Sequence, residues 1–188
     1  KQEELNRVIV FTRPKTNADN VFKFLDRKGF GPVRVIHSNK GQNSRINAIN
    51  QFKEGELRVL VSTDVSARGI DVSDVSHVIN FDVPIIYEDY VHRIGRTGRA
   101  KKEGVAITFA NDAEMLHIGK IEKVIHQEIP MQDVPDPVEL VKTEKAERIE
   151  IEREIDMFKR KENPDYKGAF HDKKKKPGSL YKESNKKK

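Results

Sequence analysis

The chain has 188 residues, enough for one well-buried domain with an appendage and few for two. It contains no cysteine, which excludes disulfides and thiolate metal sites and is compatible with a reducing compartment. No apolar run approaches the roughly 18 residues that cross a bilayer, and residues 1 to 10 do not resemble a signal peptide. We therefore expect a soluble, cytoplasmic protein that has no membrane partner.

The positive charge is concentrated at the C-terminal end. The formal net charge is +6, and residues 159 to 188 hold 12 Lys and Arg against 4 Asp and Glu, which leaves 24 against 26 for residues 1 to 158. Such a basic segment attracts polyanions, RNA or DNA first and an anionic membrane second. A solvated end that only keeps the protein soluble is an equally good interpretation of this composition.

Five short runs rich in β-branched residues are predicted strands. They are nearly continuous in apolar residues, which is typical of strands buried on both faces of a parallel sheet. The runs are RVIVF (7 to 11), VRVI (33 to 36), LRVLVS (57 to 62), HVINF (77 to 81) and VAITF (105 to 109).

Helical patterns lie between and after these runs. Pro14 opens the first helix at a first-turn position and Gly29 closes it, while Gly55 ends the second. The predicted apolar stripes are Val21, Phe22, Phe24 and Leu25 in the first helix, Ile46, Ile49 and Phe52 in the second, and Ile118, Ile121 and Ile125 in a later one. The alternation predicts an α/β fold, an open parallel sheet with helices on both faces that binds ligands at the carboxyl ends of its strands.

The pattern changes after residue 130, where three prolines break regular structure. Residues 138 to 162 are predicted to form one charged helix, in which Asp156 and Arg160 make a favourable pair four residues apart. This helix could dock on the domain, pair with a partner or stand in solvent. The predicted organisation is a domain at 1–130, a proline-marked linker and charged helix at 131–162, and a basic disordered tail at 163–188.

Three polar stretches follow predicted strands, HSNKGQNSR (37 to 45), STDVSARGID (62 to 71) and VHRIGRTGR (91 to 99). Gln42 and Arg45 lie one turn apart at the start of a helix, where the macrodipole favours an anion, and Thr63 offers a hydroxyl at a strand end. Asp71 cannot meet a phosphate without a cation, but its two acceptor oxygens suit sugar hydroxyls. Together these groups suggest a nucleotide.

Simpler interpretations exist for the same residues. Thr63 and Asp64 could cap the following turn, Asp71 could only pair with Arg68, and Arg45 could be an ordinary solvated helix residue. The coincidence of three such stretches at strand ends favours the nucleotide interpretation.

The third stretch spaces three arginines, Arg93, Arg96 and Arg99, at steps of three with Gly95 and Gly98 between them. On a continuous helix the arginines would share one face and repel one another by a few tenths of a kcal/mol per pair, and the glycines would weaken the helix further. A function must compensate for that cost.

The order TDVSARGID then HRIGRTGR, preceded by a Q-x-x-R step and a VIVF strand, resembles the C-terminal RecA-like domain of the DEAD-box RNA helicases over residues 7 to about 128. HRIGRTGR is highly specific, because related helicase groups usually have Gln where His92 stands. Within the family, the HSNKGQNSR loop and the EDYVHRIGRTGRA context are most similar to the bacterial RhlE type.

The resemblance implies a nucleotide role for four residues. Arg96 and Arg99 match the arginine fingers that reach the γ-phosphate of an ATP held by the other RecA-like domain. Asp71 matches the residue that binds the ATP ribose, and Gly69 allows the backbone to approach closely. ATP with Mg²⁺ is therefore the implied ligand.

The resemblance also implies coupling and RNA binding. His92 and Arg93 match residues that couple the nucleotide site to the facing domain. Gln42, Arg45 and Thr63 match positions that contact the RNA backbone. Contacts of this kind bind single-stranded RNA without reading its sequence.

The implied activity is that of an ATP-dependent RNA helicase, an RNA-stimulated ATPase whose domain closure disrupts a short duplex. The chain has no G-x-x-x-x-G-K-[ST] loop and no D-E-x-D motif, so ATP and Mg²⁺ would be bound mainly by an N-terminal RecA-like domain of the same protein, and this chain alone is expected to be inactive. The alternative is a non-catalytic RNA-binding or scaffold module. The ATP-facing residues Asp71, Arg96 and Arg99 favour the helicase.

Three positions depart from the family pattern. The family usually has glycine after this histidine, but here Ser38 follows His37. The family also has a glycine soon after the last motif arginine, whereas here the residues AKKE intervene before Gly104. Ser66 stands where alanine is common. None of these changes removes a ligand.

Overall fold

A computed structural model describes residues 6–67, 72, 75–98, 104–111 and 114–134, together with 149, 152, 153, 156, 157, 159, 160, 163, 165 and 166. The chain divides into two compact units, Lys1–Val141 and Lys142–Lys188. The predicted limits at residues 130 and 162 stay a proposal.

The described part of the first unit alternates strands and helices. The strands are β1 (Val8–Thr12), β2 (Val33–Ile36), β3 (Val59–Thr63), β4 (His77–Asn80) and β5 (Val105–Thr108). The helices are α1 (Lys15–Arg27), α2 (Gln42–Glu54), α3 (Asp64–Ala67), α4 (Tyr87–Ile94) and α5 (Met115–Ile125). Each of the five predicted strands is confirmed.

The strands form one parallel sheet in the order β2-β3-β1-β4-β5. The central strand β1 pairs with β3 and with β4, so that Val10 lies between Val61 and Ile79. All residues of β1 and β3 are buried, as expected for strands covered on both faces. The predicted open α/β sheet is confirmed.

Two apolar clusters cover the two faces of the sheet. Successive residues of a strand point to opposite faces, and accordingly Ile9 belongs to the cluster that includes Phe52 of α2, whereas Val10 belongs to the cluster that includes Ala18 of α1. Phe52 is completely buried, and burial of such a side chain contributes about 1.5–3 kcal/mol. The helices therefore lie on both faces, as predicted.

Proline and glycine mark the helix ends as predicted, but the predicted burial of two apolar helix residues was wrong. Pro14 precedes α1, and Gly55 ends α2 with a positive φ of 81°. Phe24 is 48% exposed and Ile46 is 45% exposed, because the buried sides of the two helices are centred on Ala18 and Ala48. In α5, Ile118 and Ile121 are buried and Ile125 packs against them, as predicted.

In the second unit, the described residues 149, 152, 153, 156, 157, 159 and 160 are helical. Arg160 Nη2 lies 3.4 Å from Asp156 Oδ2, which is the predicted pair four residues apart. The remainder of the predicted charged helix and nearly all of the tail lie outside the described residues. No helix in the described part of the chain is long and apolar enough to cross a membrane.

Candidate functional site

The parallel sheet brings the ends of three strands to one edge. Thr12 at the end of β1 is paired with Thr63 at the end of β3, and Phe11 is paired with Asn80 at the end of β4. Thr63 is 7% exposed and is followed directly by Asp64, the first residue of α3. Polar groups from β1, β3 and β4 therefore meet at the carboxyl edge, where such sheets bind ligands.

Arg93 of α4 is the buried centre of this edge, with 1% of its surface exposed. Its Nε and Nη2 donate to Oδ1 and Oδ2 of Asp64 at 2.6 and 2.8 Å. Its Nη1 donates to Asn80 Oδ1 at 3.2 Å and to the carbonyl oxygen of Asp82 at 2.7 Å. The guanidinium carbon lies 5.2 Å from the ring centroid of Phe11, a cation–π distance. One side chain thus ties α4 to the ends of β1, β3 and β4.

This arrangement bears on the coupling role predicted for His92 and Arg93. All four of these Arg93 hydrogen bonds go to residues of its own domain, so any effect on a facing domain would be exerted through the position of α4. His92, the preceding residue, is exposed. The coupling role stays a prediction for both residues.

The turn after α4 carries Arg96. The helix ends at Ile94, and the N–H groups of Arg96 and Thr97 donate to the carbonyl oxygens of Arg93 and Ile94 at 3.1 and 3.0 Å. Gly98 has a φ of +68°, a conformation that favours glycine. Arg93 and Arg96 therefore do not share a helical face, and Arg96 is partly exposed.

Thr97 fixes the far side of this turn. Its Oγ1 donates to the carbonyl oxygens of Val75 and Ser76, at 2.5 and 3.1 Å. A Cβ on Gly104 would collide with Thr97 Oγ1 and with the backbone nitrogen of Gly98, so the chain before β5 packs directly on the turn. Gly104 directly follows the residues AKKE, which depart from the family pattern.

The predicted RNA-contacting residues occupy two places. Gln42 and Arg45 lie in the first turn of α2, where Gln42 is exposed and Arg45 is partly exposed, and Arg45 Nη1 donates to Gln42 Oε1 at 3.2 Å. Thr63 lies on a different element, beside Asp64. The Asp64 carboxylate accepts two hydrogen bonds from Arg93. Asp64 therefore does more than cap the turn that follows it.

The loop before α2 is ordered around His37, which is 2% exposed. His37 Nδ1 accepts from the N–H of Asn39 at 3.3 Å, so Nε2 is assigned the proton and donates to Asp19 Oδ2 at 3.2 Å. The hydrogen bond from Lys40, together with the one from His37, lowers the pKa of Asp19 despite partial burial. These contacts fix the loop although Ser38 replaces the usual glycine.

Sequence reasoning missed a second charged group at the carboxyl edge. Arg13 Nη2 lies 2.7 Å from Glu114 Oε1, and the Arg13 N–H donates to Asp82 Oδ2 at 2.8 Å. Burial raises the pKa of Glu114, and the positive charge of Arg13 opposes that shift. A charged residue directly after a buried strand could have indicated Arg13, but the sequence offers no comparable signal for Glu114.

Comparison with known proteins places the chain in a family. Residues 1–101 match the family model of the helicase conserved C-terminal domain. The chain belongs to that family. A similar relative is the ATP-dependent RNA helicase RhlB of Shewanella woodyi, 43% identical over 141 residues that cover 70% of this chain and 32% of the relative. Another is the DEAD-box ATP-dependent RNA helicase CshA of Geobacillus kaustophilus, 40% identical over 161 residues that cover 86% of this chain and 34% of the relative.

Solved structures that are similar to this helicase domain belong to DEAD-box proteins. The E. coli DEAD-box protein SrmB, solved with the regulator of ribonuclease activity A, matches with a TM-score of 0.64 and 39% identity over 71% of this chain and 78% of that one. Domain 2 of the DEAD-box helicase Mss116p, solved with an RNA duplex, matches with a TM-score of 0.65 and 29% identity over 82% of this chain and 58% of that one. The predicted DEAD-box, RecA-like C-terminal domain is confirmed.

The helicase domain spans about one third of the length of the curated relatives it matches. The relatives named above are RhlB and CshA, and the likeness to the RhlE type stays a prediction.

Three predicted site residues, Gly69, Asp71 and Arg99, lie outside the described residues. Within the described part, no group of three or more His, Asp or Glu side chains could hold a metal ion.

Proposed function

We propose that the chain is the C-terminal half of an ATP-dependent RNA helicase and supplies arginine fingers to ATP hydrolysis. In this proposal Arg96 and Arg99 reach the γ-phosphate of an ATP bound by an N-terminal RecA-like domain of the same protein. The observation that carries the proposal is the placement of Arg96, partly exposed on a turn that Arg93 anchors on one side and Thr97 on the other.

A fixed turn suits an arginine finger for a physical reason. The negative charge that develops on the γ-phosphate oxygens is stabilised best by donors that are already in position. Arginine fingers contribute about 10³ to 10⁵ in the rate of phosphoryl transfer, far more than the few tenths of a kcal/mol lost by placing arginines close together. Asp71 and Gly69 would bind the ribose of the same nucleotide.

The RNA would bind at the carboxyl edge of the sheet. Gln42 and Arg45 in the first turn of α2 and Thr63 at the end of β3 would contact the phosphate and sugar backbone. Gln42 is exposed and Arg45 is partly exposed. Backbone contacts give affinity without reading the bases. The substrate class is therefore RNA of any sequence, bound as a single strand after local unwinding.

Both sites would be completed by closure against the N-terminal RecA-like domain. That domain would hold the phosphates and the Mg²⁺ ion, which neutralises phosphate charge when bound. Closure would bend the bound strand and disrupt a short duplex, and hydrolysis would reopen the cleft. We propose that the chain by itself does not hydrolyse ATP and that the whole protein works in the cytoplasm.

The proposal is tested by an ATPase assay on two proteins, this chain alone and the chain joined to an ATP-binding RecA-like domain. We expect RNA-stimulated turnover from the joined protein and none from this chain. Turnover that RNA does not stimulate would contradict the helicase. RNA binding without any turnover in the joined protein would favour the non-catalytic RNA-binding module.

A further inference from the structure

Thr97 lies beside the proposed finger Arg96 and is one of the two anchors of its turn. Its hydroxyl is buried and donates to two backbone carbonyl oxygens, those of Val75 and Ser76. A parallel bridge also pairs Val75 with Thr97. The side chain therefore binds the arginine turn to the chain segment that enters β4.

The residue bound by Thr97 is itself firmly held. Val75 is 3% exposed and belongs to the apolar cluster that contains Phe11 and Val78 of the central strands. The segment that enters β4 is thus part of the core, and it begins four residues after Asp71, the predicted ribose ligand. A hydroxyl anchored there holds the turn against a rigid part of the sheet.

The turn that carries Arg96 is anchored before and after that residue by different means. Arg93 is held by the Asp64 carboxylate and its other partners at the carboxyl edge, and Thr97 is held by backbone carbonyl groups at the opposite end of β4. Release of either anchor would let the turn rotate about the other. Catalysis by positioned groups is sensitive to shifts of about 1 Å, which can cost about 100-fold in rate.

We propose that Thr97 is a positioning residue for ATP hydrolysis, which acts through Arg96 by holding the arginine turn against Val75 and Ser76. The inference rests on the proposed function. It assigns the role to one atom, the hydroxyl oxygen, because that atom makes both hydrogen bonds.

Thr97→Ser and Thr97→Ala make a matched pair that differs by this oxygen. In the protein that joins this chain to an ATP-binding RecA-like domain, we expect Thr97→Ala to lower kcat at saturating RNA about tenfold. The KM for ATP should change by no more than about twofold, because the lost interaction acts in the transition state. Thr97→Ser should keep a kcat near that of the unmodified protein.

The same pair in the Arg96→Ala background shows whether Thr97 acts through Arg96. We expect Thr97→Ala to lower the residual turnover of that background by less than about twofold, because residues that act as a unit are not additive. A full tenfold loss there would overturn the inference. A melting temperature measured for each variant identifies any unfolded protein, and Thr97→Val, of the same shape as threonine, replaces Thr97→Ala if the latter does not fold.

Two outcomes separate this inference from the proposed function. If Arg96→Ala lowers turnover by about 10³-fold while Thr97→Ala and Thr97→Ser are equally active, Thr97 has no positioning role and the finger assignment stands. If Arg96→Ala turns over ATP normally, the proposed finger is wrong and the inference fails with it.

Discussion

Asp64 and Arg93 face each other in a two-point ion pair, with Nε to Oδ1 at 2.6 Å and Nη2 to Oδ2 at 2.8 Å. Arg93 is 1% exposed, so removal of its partner leaves a guanidinium buried without its counter-charge. Such a loss costs about 3–5 kcal/mol. The pair joins Asp64, which follows the predicted RNA contact Thr63, to α4, the helix that precedes the turn carrying Arg96.

Asp64→Ala should therefore destabilise the domain by about 3 kcal/mol, measured as the free energy of unfolding in urea. Asp26→Ala, at an exposed position of α1, is the matched control and should change this free energy by no more than about 0.5 kcal/mol. Equal effects of the two substitutions would mean that the ion pair does not stabilise the fold.

Arg96→Ala should lower RNA-stimulated ATP turnover by about 10³-fold or more, while RNA affinity is largely kept. The reason is that, in the proposed function, the finger stabilises charge in the transition state and belongs to the ATP site rather than to the RNA-binding surface. Turnover and RNA dissociation constants are measured on the two-domain protein. Arg27→Ala, at an exposed arginine in the last turn of α1, is the control, and unchanged turnover in Arg96→Ala would refute the finger role.

Arg45→Ala should weaken RNA binding by a similar factor for all sequences, because a phosphate contact carries no base information. The slope of log affinity against log salt should become shallower by about 0.7, the value for one phosphate contact with a single strand. Titrations of several RNA sequences at several salt concentrations measure both effects. A loss confined to one RNA sequence would show that Arg45 reads bases.

The Asp19 contacts predict a dependence of stability on pH. Because Lys40 and His37 lower the pKa of Asp19 in the folded chain, the Asp19 carboxylate stabilises the fold above its unfolded pKa of about 3.9. That stabilisation is lost as the pH falls through the lowered folded value.

Asp19→Asn should accordingly melt at a lower temperature than the unmodified chain at pH 7, and the gap should narrow as the pH falls below about 4. Thermal melts across this range measure the gap. Asp26→Asn, on the exposed side of the same helix, is the control. A gap that stays constant with pH would exclude a role for the Asp19 charge.

The basic tail is predicted to tether RNA without sequence preference, on the ground of its Lys runs at 173 to 176 and 186 to 188. Deletion of residues 163 to 188 should raise the RNA dissociation constant mainly at low salt, where exposed charges are screened least. Binding measured at two salt concentrations tests this. An unchanged constant would favour the role in solubility.

The sequence predicted the sheet well because each strand is a short β-branched run buried on both faces, a property that depends on local composition. The helix stripes were less reliable, since Phe24 and Ile46 are apolar residues that the chain leaves exposed. The candidate site was likewise predicted only in part from the sequence. Local motifs indicated Arg93 and Arg96, but not that Arg93 is bound by Asp64, 29 residues earlier in the chain.

Long-range pairs of this kind depend on how the strands are ordered, which spacing in the sequence does not reveal. Arg13 and Glu114 are 101 residues apart and meet only because their elements converge at the same edge. Their contact becomes predictable once the order β2-β3-β1-β4-β5 is known.

The close approach of Gly98 and Gly104 has an evolutionary consequence. Because the two glycines pin the ends of the intervening segment together, insertions between them should be inexpensive, since a doubling of loop length costs only about 0.6 kcal/mol in closure entropy. Side chains at either glycine should be far harder to accept. The AKKE segment, which departs from the family pattern, lies between these two glycines in the sequence.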